Sequence, residues 1–170
     1  MNKSAFLSIH SPHLQTKIKH TMNTKNDLTK HAPRSPSTRL GGYSILARCL
    51  DKGRANLAGS VGDYHFDCPL DNVLFSFKAV TGNEIRKLLT EGNSDDEIVQ
   101  WLNAHGVPKT AEEVTEWSSG FESSSPYTNP EKKEWFCGEC KSLGLNPEKA
   151  TLCDMLEEDD RQSFAVQAVH

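Results

Sequence analysis

Three times between residues 81 and 113 the chain places a hydroxyl residue three positions ahead of a glutamate: Thr81 with Glu84, Ser94 with Glu97 and Thr110 with Glu113. In such a pair the hydroxyl accepts from the backbone N–H of the third helical residue, and the glutamate reaches back to the N–H of the cap. Two donors that a helix start would leave orphaned are satisfied together. Each pair is followed by apolar residues at helical spacing: Ile85, Leu88 and Leu89; then Ile98, Val99 and Leu102 beside Trp101; then Val114, Trp117 and Phe121. Gly92 and Gly106 fall where helix ends favour a left-handed residue. Short capped helices joined by brief loops are the only fold this punctuation allows.

The flanking segments extend the pattern. LGGYSILARCLDKGRANLAG carries Leu46, Leu50 and Leu57, with Ile45 and Cys49 beside them, and predicts a helix over about 43–58 that stops at Gly59. GSVGDYHFDCP is rich in Gly and Asp, and its Tyr64–Phe66 run suits a short extended segment near 63–67. LDNVLFSFKAV sets Leu70, Val73, Leu74, Phe77 and Val80 on one helical stripe, although its aromatic and β-branched content also fits a strand. Asn129 before Pro130 and Asn146 before Pro147 pair a cap residue with a proline whose missing N–H costs nothing there, predicting helices near 130–143 and 147–157. EEDDRQSF reads as a solvated helix end and turn, and Trp101, Trp117 and Trp135 as packing residues. The expected fold is all-α, a compact irregular bundle of six or seven short helices.

Charge divides the chain. The first 39 residues hold seven Lys/Arg against the single acid Asp27, so the net charge of −4 leaves the remainder about ten charges negative. A domain that acidic is a poor binder of phosphate backbones, so no nucleic-acid partner is expected. Residues 1–32 read as a disordered basic tail, with Met22 as an alternative start; an organelle transit peptide shares the composition, but no amphipathic face supports it. Residues 33–165 form a single domain and 166–170 a terminal tail. The sequence has no apolar run of the roughly 20 residues that a membrane-spanning helix needs. Five cysteines, an odd number, without an export signal point to reduced thiols and a cytoplasmic protein.

RSPSTRLGGYSILARCLDKGRANLAG, GDYHFDCPLDN, TEGNSDDEIVQWL and NPEKKEWFCGECKSLGLNP leading into LEEDDRQSF together resemble a bacterial family, domain of unknown function 5069, over about residues 33–164. The resemblance implies a small cytoplasmic bacterial domain and brings no activity with it.

Two constellations carry chemistry. Cys137 and Cys140 form the sole CxxC. Redox pairs of this spacing sit at a helix N-terminus after a strand, whereas this one falls within a helix, where Cys140 aligns with Phe136 and Leu143 as core. A structural zinc site from His65, Cys68, Cys137 and Cys140 is the metal alternative, although its ligands come from one loop and one helix rather than two knuckles. The second constellation is the polar side of the first helix with the following loop: Asp51, Lys52, Arg54, Tyr64, His65, Asp67 and Asp71. Arg54 and Lys52 suit a phosphate or carboxylate, with His65 titrating near neutral pH and Asp67 or Asp71 orienting it. The competing structural reading is an Arg54–Asp ion pair that pins the loop to the helix. Walker, GxGxxG, GxSxG and HExxH motifs are absent. Gly41 and Gly42 read as a tight helix entry. The expectation is a non-enzymatic binding or interaction module with no cofactor, no assigned catalytic residue and an unidentified protein as partner; a small-molecule enzyme or binder for an anionic ligand is the alternative.

Overall fold

In this computed structural model, residues 27–165 are described. Seven α-helices follow one another: α1 (Leu46–Ala58), α2 (Pro69–Lys78), α3 (Gly82–Thr90), α4 (Asp95–Ala104), α5 (Ala111–Glu122), α6 (Pro130–Ser142) and α7 (Leu152–Ala165), with a 3-10 turn at Pro126–Thr128 before α6. The three reciprocal caps open α3, α4 and α5. Thr81 N–H donates to Glu84 at 2.8 Å and Glu84 N–H to the Thr81 hydroxyl at 3.3 Å, and the other two pairs repeat the exchange. Asn129 caps α6 by accepting from Glu131 N–H at 2.9 Å. Residues 1–26 of the basic tail, the alternative start at Met22 and the terminal tail lie outside the described residues.

Several local expectations are corrected. The segment near 63–67 is not extended: turns at 62–63 and 66–67 bracket it, and Asp67 takes a left-handed φ of 61°. Among the described residues no strand is available to pair with it, and the only bridge is the isolated one between Leu40 and Tyr43.

The first helix begins at Leu46, three residues after the expected start, because Gly41, Gly42 and Ile45 all have positive φ. At Gly41 (φ 59°) a Cβ would stand 2.3 Å from Val99 Cγ1, so the tight entry is a close approach of backbone to α4.

The last helix begins at Leu152 rather than Pro147. Asn146 makes a single turn, accepting from Glu148 N–H at 3.0 Å, and the true cap is Thr151, whose N–H donates to Asp154 at 2.8 Å while Asp154 N–H returns to the Thr151 hydroxyl at 3.0 Å. From there α7 runs through EEDDRQSF, which forms the last two turns of the helix with no break into a turn and has Asp160 buried.

Leu57 and Trp135, expected to pack, are 43% and 49% exposed. Further upstream, Leu28 is buried and its N–H donates to Ser60 O at 2.9 Å, so the folded part reaches back beyond residue 33.

The main core gathers residues from α1 to α5, among them Ile45, Leu46, Leu50, Leu74, Phe75, Ile85, Ile98 and Leu102. A smaller cluster of Phe136, Cys140, Ala150 and Met155 holds α6 against the start of α7. The main core has α1 at its centre: every residue from Leu46 to Gly53 is buried. An internal helix of this kind is normally apolar all round. This one carries Arg48, Asp51 and Lys52, and each buried charge requires a partner.

Candidate functional site

The partners come from three directions and divide the predicted constellation into separate clusters. On one side of α1, Arg34 grips Asp51 with two parallel bonds, Nε to Oδ2 at 2.9 Å and NH2 to Oδ1 at 2.8 Å. The same guanidinium reaches Asp95 at 2.8 Å, and Arg54 meets the other oxygen of Asp95 at 2.6 Å. Burial pushes the Asp95 carboxyl up, but the bonds from Arg34 and Arg54 outweigh it and hold the group below its ordinary value. This chain of four charges ties the segment before α1 to the start of α4.

On a second side the Lys52 ammonium lies 2.8 Å from Asp71 and 3.3 Å from the Cys68 sulfur. The ion pair is enclosed, with side chains 4% and 0% exposed. Cys68 is the N-cap of α2, and its N–H faces Asp71 Oδ2 at 3.4 Å.

The third cluster surrounds Tyr64. Its hydroxyl donates to Asp160 Oδ1 at 2.7 Å, and Arg48 closes on both oxygens of Asp160, NH1 at 2.6 Å and NH2 at 3.1 Å. The guanidinium carbon stands 5.3 Å from the centre of the Tyr64 ring. Burial, and after it the bond to Asp160, push the Tyr64 phenol well up, so it remains a donor. Arg48 and Asp160 are nearly enclosed, but Arg48 and Tyr64 line a cleft of about 360 Å³ between the Gly62–Tyr64 turn and α7. Leu28, Leu156 and Phe164 form its apolar walls, Thr29 and Ser163 add hydroxyls, and Asp63 and Asp159 set two carboxylates on the rim. Gly62 (φ 60°) makes the shape feasible, since a Cβ there would come within 3.0 Å of Leu28 O.

The predicted seven residues therefore do not share one site. Asp51 and Arg54 belong to the first cluster, Lys52 and Asp71 to the second, and Tyr64 to the third. His65 is exposed and is not part of the cleft wall. Asp67 accepts from Asn72 Nδ2 at 2.9 Å and packs on Gly82, where a Cβ would fall 2.3 Å from its carboxyl carbon. Arg34, Arg48, Asp95 and Asp160 were missed. Arg48 did leave a signal, a charge set between Leu46, Cys49 and Leu50 on an apolar stripe.

The thiols are corrected as a metal site. His65, Cys68, Cys137 and Cys140 do not converge, and among the described residues no three His, Cys, Asp or Glu side chains gather as ligands would. Cys140 is buried beside Phe136 and Met155, while Cys68 faces Lys52. Burial raises the Cys140 thiol. All five cysteines are free.

The family profile for DUF5069, a domain of unknown function, matches residues 30–162. The chain belongs to this family. The matched span of DUF5069 contains all three charged clusters. None of the curated proteins compared with this chain matches it. Among the described residues, no helix is long and apolar enough to cross a membrane.

Proposed function

We propose that this DUF5069 domain is a non-enzymatic, cytoplasmic binding module of bacterial origin whose ligand site is the cleft floored by Arg48 and Tyr64, which Asp160 holds from behind. One observation carries the reading: the floor is already satisfied. Both oxygens of Asp160 are engaged by Arg48, and the phenol of Tyr64 is held as a donor to the same carboxylate. Burial and the bond to Asp160 push the Tyr64 phenol well up, so it does not serve as an acid near neutral pH, and the Asp160 carboxylate is committed to Arg48 and Tyr64. The trio offers instead a rigid polar surface inside apolar walls, which is how a recognition site is built. The reduced state of all five cysteines supports a cytoplasmic setting.

The rim supplies the preference. Arg48 is neutralised by Asp160, leaving Asp63 and Asp159 as the outward-facing charges of the cleft. A cationic group on an apolar body complements it better than the anionic ligand of the alternative sequence reading. Native mass spectrometry of the full chain purified from its own host tests this: a bound small basic molecule is expected, and it should be lost from a D63N/D159N variant. Retention of that molecule by the variant, an anionic ligand in its place, or no ligand at all would refute the reading.

A further inference from the structure

The second cluster is independent of the cleft and carries chemistry of its own. Lys52 is almost wholly enclosed, yet its amine nitrogen contacts a sulfur, Cys68 Sγ, at 3.3 Å. That separation is within the range of reacting atoms held ready for attack. On its other side the same nitrogen stands 2.8 Å from Oδ1 of Asp71, a buried carboxylate oxygen that has no hydrogen bond of its own. Cys68 itself is only partly buried and stands at the N-terminus of α2, a ten-residue helix, with the Lys52 nitrogen against its sulfur. The remaining cysteines lack this setting. Cys49, Cys140 and Cys153 are buried, and only Cys68 has a lysine nitrogen recorded against its sulfur among the described residues.

We propose that Cys68 and Lys52 form a reversible covalent cross-link when the protein meets a hydroperoxide. The thiolate attacks the peroxide, the O–O bond breaks, and sulfur is oxidised to a sulfenic acid while one peroxide oxygen leaves as water. Lys52, having passed a proton to Asp71, then attacks the sulfenic sulfur. An S–N bond forms, the S–O bond breaks and the departing hydroxide takes a proton to become a second water. The sum is one thiol, one amine and one hydroperoxide giving a sulfenamide and two waters, or one water and an alcohol for an organic peroxide. The link joins the middle of α1 to the start of α2, and a thiol reductant reverses it by thiolate attack on sulfur. It also stops sulfur oxidation short of the irreversible sulfinic acid.

The test is peptide mapping of the full-length protein after treatment with hydrogen peroxide, with and without subsequent dithiothreitol. The expected product is a joined peptide containing Lys52 and Cys68, lighter by two hydrogens than the two parts and abolished by dithiothreitol. The Lys52→Arg variant keeps the ion pair with Asp71 but lacks the amine, so it should give sulfinic acid at Cys68 instead. Folding of that variant is checked by circular dichroism, and Asp71→Asn, which leaves the amine and thiol in place, should slow formation of the link at least tenfold. A disulfide between Cys68 and another cysteine, oxygen addition at Cys68 without the link in the native protein, or an unmodified Cys68 would overturn the proposal.

Discussion

Arg48 has apolar neighbours on both sides in sequence, and the carboxylate that neutralises it lies 112 positions away. A charge enclosed in this way depends on its partner: the attraction offsets the desolvation only while both are present. Asp160→Leu should therefore destabilise the fold by about 3–5 kcal/mol in urea denaturation, as expected for breaking a buried pair. Arg48→Met combined with Asp160→Leu should cost less than the sum of the single variants by at least about 1 kcal/mol. Full additivity would show that the two side chains do not act as a pair. The same residues mark the limit of what could be read in advance. Tyr64 was identified among the candidate ligand-binding residues. Asp160 was hidden in a run of four acids that look equally solvated until packing selects one of them. Lys52 and Asp71 were both singled out as ligand groups, but nothing in their spacing reveals that each is the other's ion-pair partner.

Helix starts were legible wherever the cap and its reciprocating residue had the expected form. Thr81, Ser94, Thr110 and Asn129 were all placed correctly. At the last helix the preference for glutamate in the reciprocal position misled the reading, because Asp154 performs the same task for Thr151, and Asn146–Pro147 offered a false start nearer by. The order of effects on stability distinguishes the two starts. Thr151→Ala removes the acceptor for Asp154 N–H and should cost about 1 kcal/mol. Asn146→Ala affects a single turn outside the helix and should cost less than half of that, again by urea denaturation. An equal or larger loss at Asn146 would mean that the helix begins there. The entry to α1 was misjudged for a different reason: a left-handed β-branched residue such as Ile45 is sterically unfavourable, and burial, a bond from its N–H to Pro36 O at 2.8 Å and one from Cys49 N–H to its carbonyl at 2.9 Å hold it. No local preference foretells such a residue.

Across the whole molecule, the segment before α1 is fastened largely by carboxylates. Arg34 is held by Asp51 and Asp95, and Arg39 by Glu122 at 2.7 Å. The bond from Arg39 keeps the Glu122 carboxyl below its ordinary 4.5, and Asp95 lies below 3.8. The caps contribute in the same direction, with Glu84 and Glu97 lowered by their bonds to Thr81 and Ser94. A carboxyl with a depressed folded-state pKa binds fewer protons folded than unfolded, so its stabilisation is complete above the unfolded value and disappears as pH falls through the folded one. The urea midpoint should thus be level from neutrality to about pH 5 and decline below about 4.5, where these groups begin to protonate in the unfolded chain. Asp95→Asn should lower the midpoint at pH 7 and flatten this acid limb. Because the affected bonds secure the segment before α1, its amides should lose protection first: hydrogen exchange at Leu40 and Ile45, which donate to Tyr43 O and Pro36 O, should accelerate at pH 4, after correction for intrinsic rates, before exchange in α3 or α4 does. A simultaneous loss of protection in all of these elements would mean that the carboxylates stabilise the bundle as one unit and not this segment in particular.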